Sequence, residues 1–373
     1  MRIAVLHDEY IARNTQGVSG EDNLVDLEIK LLQEKGHEVI DLRGIEFGLR
    51  RKILQGSIHV FGFGKGLPKF RENCDVIHVH NLNQRTGYAW LKNSSFPIVQ
   101  SLHNLRTFCP ISIGWRDGNQ CFECLDNPTS VWNYQCGGIY GIAGSFRHIL
   151  FQSNRPQLLY PRRLIASSNM MKNLFVNVFP PQQIDVVHNP GVVATQLDFL
   201  RPRKGWIFAG RFVEEKGVVS LIENWPEEET LDIAGNGPLL PKVMALIEKK
   251  SNVKYIGTFK NDEKAIYGNY EGFLFASTWM EGSPLVVADA ICNGTPVIAF
   301  GSSAVIEQIA MTDGGFYMGV RVTKEGLRRG ISQVRTNRTN LFNSCLKASS
   351  GVLSPEHWIQ NIEHSLKLAV NQR

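Results

Sequence analysis

Short β-rich runs alternate with helix-patterned segments along the chain, and this alternation breaks once and then restarts. The first series places strands at Ile3 to Leu6, His37 to Ile40, Val76 to Val79, Ile98 to Leu102, Leu164 to Ala166 and Val186-Val187. Between the first two lies a polar, glycine-bearing loop with Gly17 and Gly20. A helix follows with Leu24, Leu27, Leu31 and Leu32 on one face, closed by Gly36. The second series places strands at Trp206 to Ala209, Leu231 to Ala234, Val253 to Ile256, Gly272 to Ala276 and Val297 to Phe300. Strands that alternate with helices form parallel sheets covered on both faces, so the chain is expected to be α/β.

The break falls at Asn189-Pro190-Gly191 and Arg201-Pro202-Arg203-Lys204-Gly205, two turn-rich links. A length of 373 residues also exceeds what one hydrophobic core organises. Domains are therefore expected at 1–195 and 196–352, followed by a helix over 353–373. That helix has Ser354 as N-cap, Pro355 at its first position, and Trp358, Ile362 and Leu366 at i, i+4 and i+8.

Composition excludes some classes of function. No apolar run reaches 18 residues, and Ile3 to Leu6 meets His7-Asp8-Glu9 too early for a signal peptide, so a cytoplasmic location is expected. Residues 1–41 hold 4 lysines and arginines against 9 acids, whereas residues 42–172 hold 16 against 6. The basic stretch includes Arg50-Arg51-Lys52, Lys65, Lys69, Arg71, Arg147, Arg155 and Arg162-Arg163, with Ile53, Leu54, Phe61, Phe63 and Phe70 interleaved. Such a surface suits an anionic lipid leaflet or an acidic polymer, or it is simply a solvated face. Nucleic acid is not expected, because no zinc-finger spacing or RNA-binding signature accompanies the charge.

In open parallel sheets, ligands bind where loops leave the carboxyl ends of the strands. Three polar clusters fall there. Gly210-Arg211 with Lys216-Gly217 puts two cations five residues apart at a strand-to-helix turn, a pattern suited to a diphosphate or to a solvated turn. Gly235-Asn236-Gly237 is a tight turn that lets a ligand approach the backbone. Glu281-Gly282-Ser283-Pro284-Leu285-Val286 opens a helix that carries Asp289 in its second turn. Two carboxylates beside an anion-binding helix end call for something hydroxyl-rich between them, such as a sugar and a ribose.

Together these residues resemble the nucleotide-sugar site of the retaining family-4 glycosyltransferases. The resemblance spans nearly the whole chain: Gly17 to Gly20, Gly36-His37-Glu38-Val39, His78-Val79-His80-Asn81, His103-Asn104, Asn189-Pro190, Gly210-Arg211, Lys216-Gly217, Gly235-x-Gly237 and the acidic pair Glu281 and Asp289. The family usually has glutamate at both acidic positions. The resemblance implies a GT-B fold, with two Rossmann-like doubly wound domains facing a cleft and the last helix crossing back to the first domain. It implies a retaining transfer that needs no metal, from a nucleoside diphosphate sugar (UDP- or GDP-linked) to a glycan or lipid-linked acceptor.

By the same resemblance, Arg211 and Lys216 hold the diphosphate, Glu281 the sugar hydroxyls and Asp289 the ribose. The Ser283, Leu285 and Val286 amides line the sugar and phosphates, beside Gly210, Asn236 and Gly237. Ile256 and Lys260 border the base with Tyr255 and Phe259. The Gly17–Gly20 loop approaches the phosphates and His103 faces the anomeric centre, whereas His78 and His80 are expected to be satisfied buried histidines. A nucleotide-sugar epimerase of the same architecture and a non-catalytic nucleotide-sugar scaffold remain as alternatives. A dinucleotide oxidoreductase is not expected, since neither domain opens with Gly-x-Gly-x-x-Gly.

Cys109, Cys121, Cys124 and Cys136 fall within an insertion over 105–140. Their Cys-x2-Cys centre has the spacing of a structural four-thiolate zinc site, with free thiols or redox-labile pairs as the alternative. A lipid-phosphate-linked acceptor, with peripheral contact at an anionic membrane face, would use the basic stretch.

Overall fold

The computed structural model describes residues 1–7, 20–43, 73–80, 91, 94–111, 113–136, 145, 149, 159–177, 179–193, 202–259, 266–301 and 304–372. Gly17, Lys260, Asn81 and the basic-stretch residues Arg50, Arg51, Lys52, Lys65, Lys69, Arg71, Arg147 and Arg155 lie outside them, as do Ile53, Leu54, Phe61, Phe63 and Phe70. The chain divides into two compact units. One comprises Met1–Gly114, Cys121–Val187 and Ile359–Arg373, and the other Trp115–Gln120 and His188–Trp358. Among the described residues, no helix is long and apolar enough to cross a membrane.

The first unit is built on a six-stranded sheet. Its strands are β1 (Arg2–Leu6), β2 (Glu38–Asp41), β3 (Val76–His80), β4 (Ile98–Leu102), β7 (Arg163–Ala166) and β8 (Ile184–Val186). Two-residue strands β5 (Trp115–Arg116) and β6 (Asn119–Gln120), in the segment assigned to the other unit, form a separate antiparallel hairpin. The sheet order is β2-β1-β3-β4-β7-β8, every pairing is parallel, and the order reverses at β1 and β3. Strands β3 and β4 are buried along their whole length, as expected when helices cover both faces. Side chains alternate across a strand, so His78 and His80 share a face with Val5, Val99 and Ser101, their register partners. Ala4, Leu6, Ile77, Val79 and Ile98 pack together on the other face.

The helix Gly20–Glu34 buries Asp22, Leu24, Val25, Glu28, Ile29 and Leu32. This corrects the expected apolar face. Leu27 and Leu31 are only half-buried, and a carboxylate occupies the centre of the buried stripe.

In the second unit the strands are β9 (Trp206–Ala209), β10 (Leu231–Ala234), β11 (Val253–Gly257), β12 (Gly272–Phe275), β13 (Val297–Phe300) and β14 (Gly315–Gly319). They are ordered β11-β10-β9-β12-β13-β14, all parallel, with the reversal between β9 and β12. This is the doubly wound order in which ligands bind at the reversal. Two cores flank the sheet. Trp206, Phe208, Ile233, Leu274, Ile298 and Phe300 enter one, and Ile207, Ala209, Phe273, Phe275, Val297 and Ala299 enter the other. Trp206 is fully buried, and a Cβ at Gly272 would stand 2.4 Å from its ring, so the central tryptophan requires that glycine.

The last helix, Pro355–Asn371, starts as its sequence requires. Ser354 Oγ accepts from His357 N at 3.1 Å, and Trp358, Ile362 and Leu366 are buried. Its later part belongs to the first unit, where Glu363 lies 3.2 Å from His37 Nε2 and Arg162 donates to Ala369 O at 3.1 Å.

Candidate functional site

In the second unit the loops leaving β9 and β12, the two strands at the reversal, carry the charged cluster. After β9, a one-turn helix over Glu214–Lys216 ends at Gly217, which has φ +70°. Any Cβ there would lie 2.1 Å from Ala276 O, so only glycine lets this turn pack against the end of β12. Glu215 O receives Thr278 N at 2.9 Å and the Ser277 and Thr278 hydroxyls at 3.2 Å, which ties the two loops together.

The clamp sets the ion pair. Lys216 Nζ lies 2.7 Å from Glu281 Oε1 and 4.9 Å from the centre of the Trp279 ring. Arg211, earlier on the same loop, is 66% exposed, with its guanidinium 3.6 Å from Glu215. The structure therefore pairs Lys216 with Glu281 and carries Arg211 on the same β9 loop as Lys216, three of the residues expected to act. Their arrangement offers two cations for an anionic ligand and a carboxylate for hydroxyls.

The neighbouring turns pack backbone to backbone. Gly210 N donates to Ala234 O at 3.1 Å, and Phe212 N to Asn236 O at 2.8 Å. Gly235 has φ +144°, and a Cβ there would sit 1.9 Å from Gly210 O. Asn236 is exposed, and its side chain accepts from Gly237 N at 2.7 Å.

The helix Leu285–Cys292 begins after the extended Pro284. Its first intrahelical bonds run to Pro284 O from Val287 and Ala288, so the amides of Leu285 and Val286 head the helix. Ser283 is buried. Its hydroxyl accepts from Asn189 N at 3.1 Å and from Gln308 at 3.2 Å, a role in anchoring loops that the sequence reading missed.

Asp289 differs most from its expected role. It is 2% exposed, and its Oδ1 accepts from Val192 N at 2.8 Å, which holds the segment that enters this unit. Burial, and then Asp289, push the Tyr267 phenol well above its ordinary range. Ile256 is partly buried against the core, and Phe259 meets Tyr267 edge to face at 5.5 Å.

In the first unit a second polar cluster gathers near the carboxyl ends of β1, β3 and β4. His7 Nε2 lies 3.0 Å from Asp22, and His78 spans Glu28 Oε1 at 2.5 Å and Ser101 Oγ at 2.9 Å. His80 Nε2 lies 3.2 Å from Glu28 Oε2, and its Nδ1 lies 2.8 Å from His103 Nε2. Burial alone would raise the Glu28 carboxyl, but His78 and His80 hold it far below its usual range. Burial, and then His78, push His80 down to about 4. Burial, and then His80, hold partly buried His103 well below the ordinary imidazole value. Glu28 escaped the sequence reading, although it sits four residues after Leu24 and four before Leu32 on the buried stripe, where a carboxylate needs a partner. Gly20, expected near phosphates, is the exposed first residue of the same helix.

The four insertion cysteines are free thiols. Burial pushes Cys124 up to about 12, with further contributions from Cys109, Cys136 and Cys121, so the four sulfurs share one neighbourhood. Gly114 N donates to Cys109 Sγ at 3.3 Å. Among the described residues, however, only Glu28, His78 and His80 bring three ligand atoms within 4.8 Å of one another. The sulfurs are thus gathered but not closed to the spacing of one shared ion.

Residues 199–349 match the family model described as Glycosyl transferases group 1. No curated protein matches the chain by sequence. Among solved structures, Anabaena Alr3699/HepE in complex with UDP and glucose is 15% identical, covers 99% of this chain and 100% of its own, and has a TM-score of 0.62. Sucrose-phosphate synthase from Thermosynechococcus elongatus is 13% identical, with 98% of each chain covered and a TM-score of 0.66. The lipopolysaccharide outer core galactosyltransferase WaaB is 14% identical, covers 99% of each chain and has a TM-score of 0.61. The chain is thus a glycosyltransferase of GT-B fold whose residues 199–349 form a glycosyl transferases group 1 domain.

Proposed function

We propose that this glycosyltransferase moves a sugar from a nucleoside diphosphate sugar, UDP- or GDP-linked, to a glycan or lipid-linked acceptor with retention of anomeric configuration. The observation that carries this reading is the Lys216–Glu281 pair beside Arg211 at the β9/β12 reversal. Lys216 and Arg211 take the diphosphate, and Glu281 accepts hydrogen bonds from sugar hydroxyls. As the bond between sugar and phosphate breaks, the two cations neutralise the charge that grows on the departing diphosphate. The amides of Leu285 and Val286 add the partial positive charge of a helix N-terminus. In this retaining reading the departing phosphate takes the acceptor proton on the face it leaves, and these cations suffice without a metal ion. The UDP, glucose and UDP-glucose in the HepE structures favour a uridine donor.

Asp289 is assigned to the ribose in addition to its hold on Val192. The Gly17–Gly20 loop, Asn236, Ile256 and Lys260 are assigned to the phosphate and base ends. Cys109, Cys121, Cys124 and Cys136 would hold a structural zinc as a four-thiolate set, so about one zinc per chain is expected by elemental analysis. The basic stretch is assigned to the acceptor side and to peripheral binding at an anionic membrane face, for which co-sedimentation with anionic vesicles at low salt is the check. The central test is incubation with UDP-, GDP-, ADP- and dTDP-sugars. Slow hydrolysis of one donor, abolished in Arg211→Ala and Glu281→Ala proteins that still fold, is the expected result. Absence of both binding and hydrolysis with every donor would overturn the reading.

A further inference from the structure

Glu28, His80 and His103 form a line of close polar contacts that starts inside the first unit and ends at its partly exposed member, with a hydrogen bond between the two histidines. Glu28 and His80 are almost completely buried, at 0% and 1% exposed. His80 Nε2 lies 3.2 Å from Glu28 Oε2, outside hydrogen-bond geometry, and a lone pair there would face a carboxylate that can only accept, so the N–H belongs on Nε2. A neutral imidazole has a single N–H, which leaves His80 Nδ1 as a lone pair. The nitrogen 2.8 Å from that lone pair, His103 Nε2, must then be the protonated one. His103 Nδ1 is left as an acceptor, and the near-parallel rings, 15° apart, hold its plane.

Neutrality is enforced as well. The titratable groups around His80 are His78 two residues earlier on β3, His103 just past β4, His7 just past β1, and Glu28 and Asp22 on the covering helix. A second proton on the line would place a cation among imidazoles in a buried site, which burial disfavours. The spacing of Glu28, His78 and His80 would also admit a metal ion. However, His78 faces Glu28 with one nitrogen and Ser101 with the other, and His80 Nδ1 faces His103, so protons satisfy three of the four ring nitrogens, while His80 Nε2 lies 3.2 Å from Glu28 Oε2 without hydrogen-bond geometry.

We propose that Glu28 and His80 are positioning residues that lock His103 as its Nε2–H tautomer, presenting Nδ1 as an unprotonated acceptor for a sugar hydroxyl. The kinetic part rests on the proposed sugar transfer, whereas the tautomer is a property of the protein alone. The first test is therefore nitrogen NMR of histidine-labelled protein at neutral pH without substrate. The expected spectrum shows a pyridine-like Nδ1 for His103, assigned by its loss in His103→Ala, and a mixture of tautomers in Glu28→Gln. With the donor identified, Glu28→Gln should lower kcat by about 10-fold or more with little change in donor KM. Its acid limb should move to lower pH, because removing the negative charge makes the imidazoles harder to protonate. Glu28→Asp should restore part of both effects.

A protonated Nδ1 on His103 in the unaltered protein would overturn the proposal, and so would a metal ion released stoichiometrically on unfolding. An unchanged tautomer and pH profile in Glu28→Gln would do the same. If Glu28→Gln does not fold, the spectrum of the unaltered protein decides alone. If no donor is turned over, the transfer reading fails while the spectrum still tests the lock.

Discussion

The two sheets reverse direction at equivalent places and put polar clusters there, but the clusters differ in kind. Glu28, His78 and His80 are sealed under a helix, with side chains no more than 1% exposed. In the second unit, Arg211 is 66% exposed, Lys216 19% and Glu281 11%. A sealed network has to satisfy itself, and this one does so through partners placed by β3, β4 and the covering helix, except that Glu28 Oε2 and His80 Nε2 face each other at 3.2 Å without a hydrogen bond. A half-open cluster can exchange its internal pairs for a ligand's charges. The first arrangement suits holding a side chain in one state, and the second suits binding something that arrives and leaves.

Loss of Glu281 should break the second cluster most severely. Glu281→Ala is expected to cut sugar transfer by roughly 100-fold or more, since it removes hydroxyl contacts and frees Lys216 from its 2.7 Å partner. Thermal unfolding should change little. A large fall in Tm with normal turnover would make the pair structural and erase the contrast.

Acid should break the first cluster before the second. His80 titrates near 6.5 when unfolded and about 4 when folded, because burial and then His78 oppose its charge. Between those values the unfolded chain takes up the proton and the folded chain does not, so stability falls as pH drops from 6.5 towards 4. The full difference is about 3 kcal/mol at order of magnitude. Glu28 adds its own loss below its unfolded value of 4.5, since its folded carboxyl is held far lower. Urea unfolding read at pH 7, 5.5 and 4.5 checks this, and a His80→Gln protein should show a shallower pH slope.

Next in size is the backbone. Gly217→Ala combines φ +70° with a Cβ 2.1 Å from Ala276 O. It should cost about 2 kcal/mol and displace Lys216, lowering both Tm and donor affinity. Equal Tm with intact binding would show that the β9 and β12 loops are not clamped through this turn.

How much of this was readable depended on whether the signal was local. The strands of the two six-stranded sheets from Ile3 to Phe300 are legible as apolar runs, the two-residue strands β5 and β6 are not, and the Ser354-Pro355-Glu356 start produces the cap it implies. Strand β14, Gly315–Gly319, was not anticipated. It is a partly exposed edge strand with glycine at both ends, and its identity comes from pairing with β13 rather than from composition. Arg211, Lys216 and Glu281 could be named because short turns hold them at fixed spacings. Glu28 could not, because its partners His78 and His80 are 50 or more residues away in sequence. Asp289 could be singled out as acidic and well placed, but its bond to Val192 depends on a chain segment 97 residues earlier.

Arg211 gives the smallest expected change in stability and for that reason the sharpest contrast with its effect on activity. Its only short ion pair among the described residues is the 3.6 Å approach to Glu215, on a side chain two-thirds in solvent. Exposed pairs of this kind contribute roughly 0–1 kcal/mol. Arg211→Ala should therefore leave the unfolding midpoint nearly unchanged while donor binding weakens and becomes less sensitive to salt. Arg211→Lys should recover only part of the binding, because a point charge cannot reproduce the two-pronged grip of a guanidinium on phosphate oxygens. If Arg211→Ala binds donor as well as the unaltered protein, the diphosphate is held elsewhere, and the open cluster loses its cationic half to Lys216 alone.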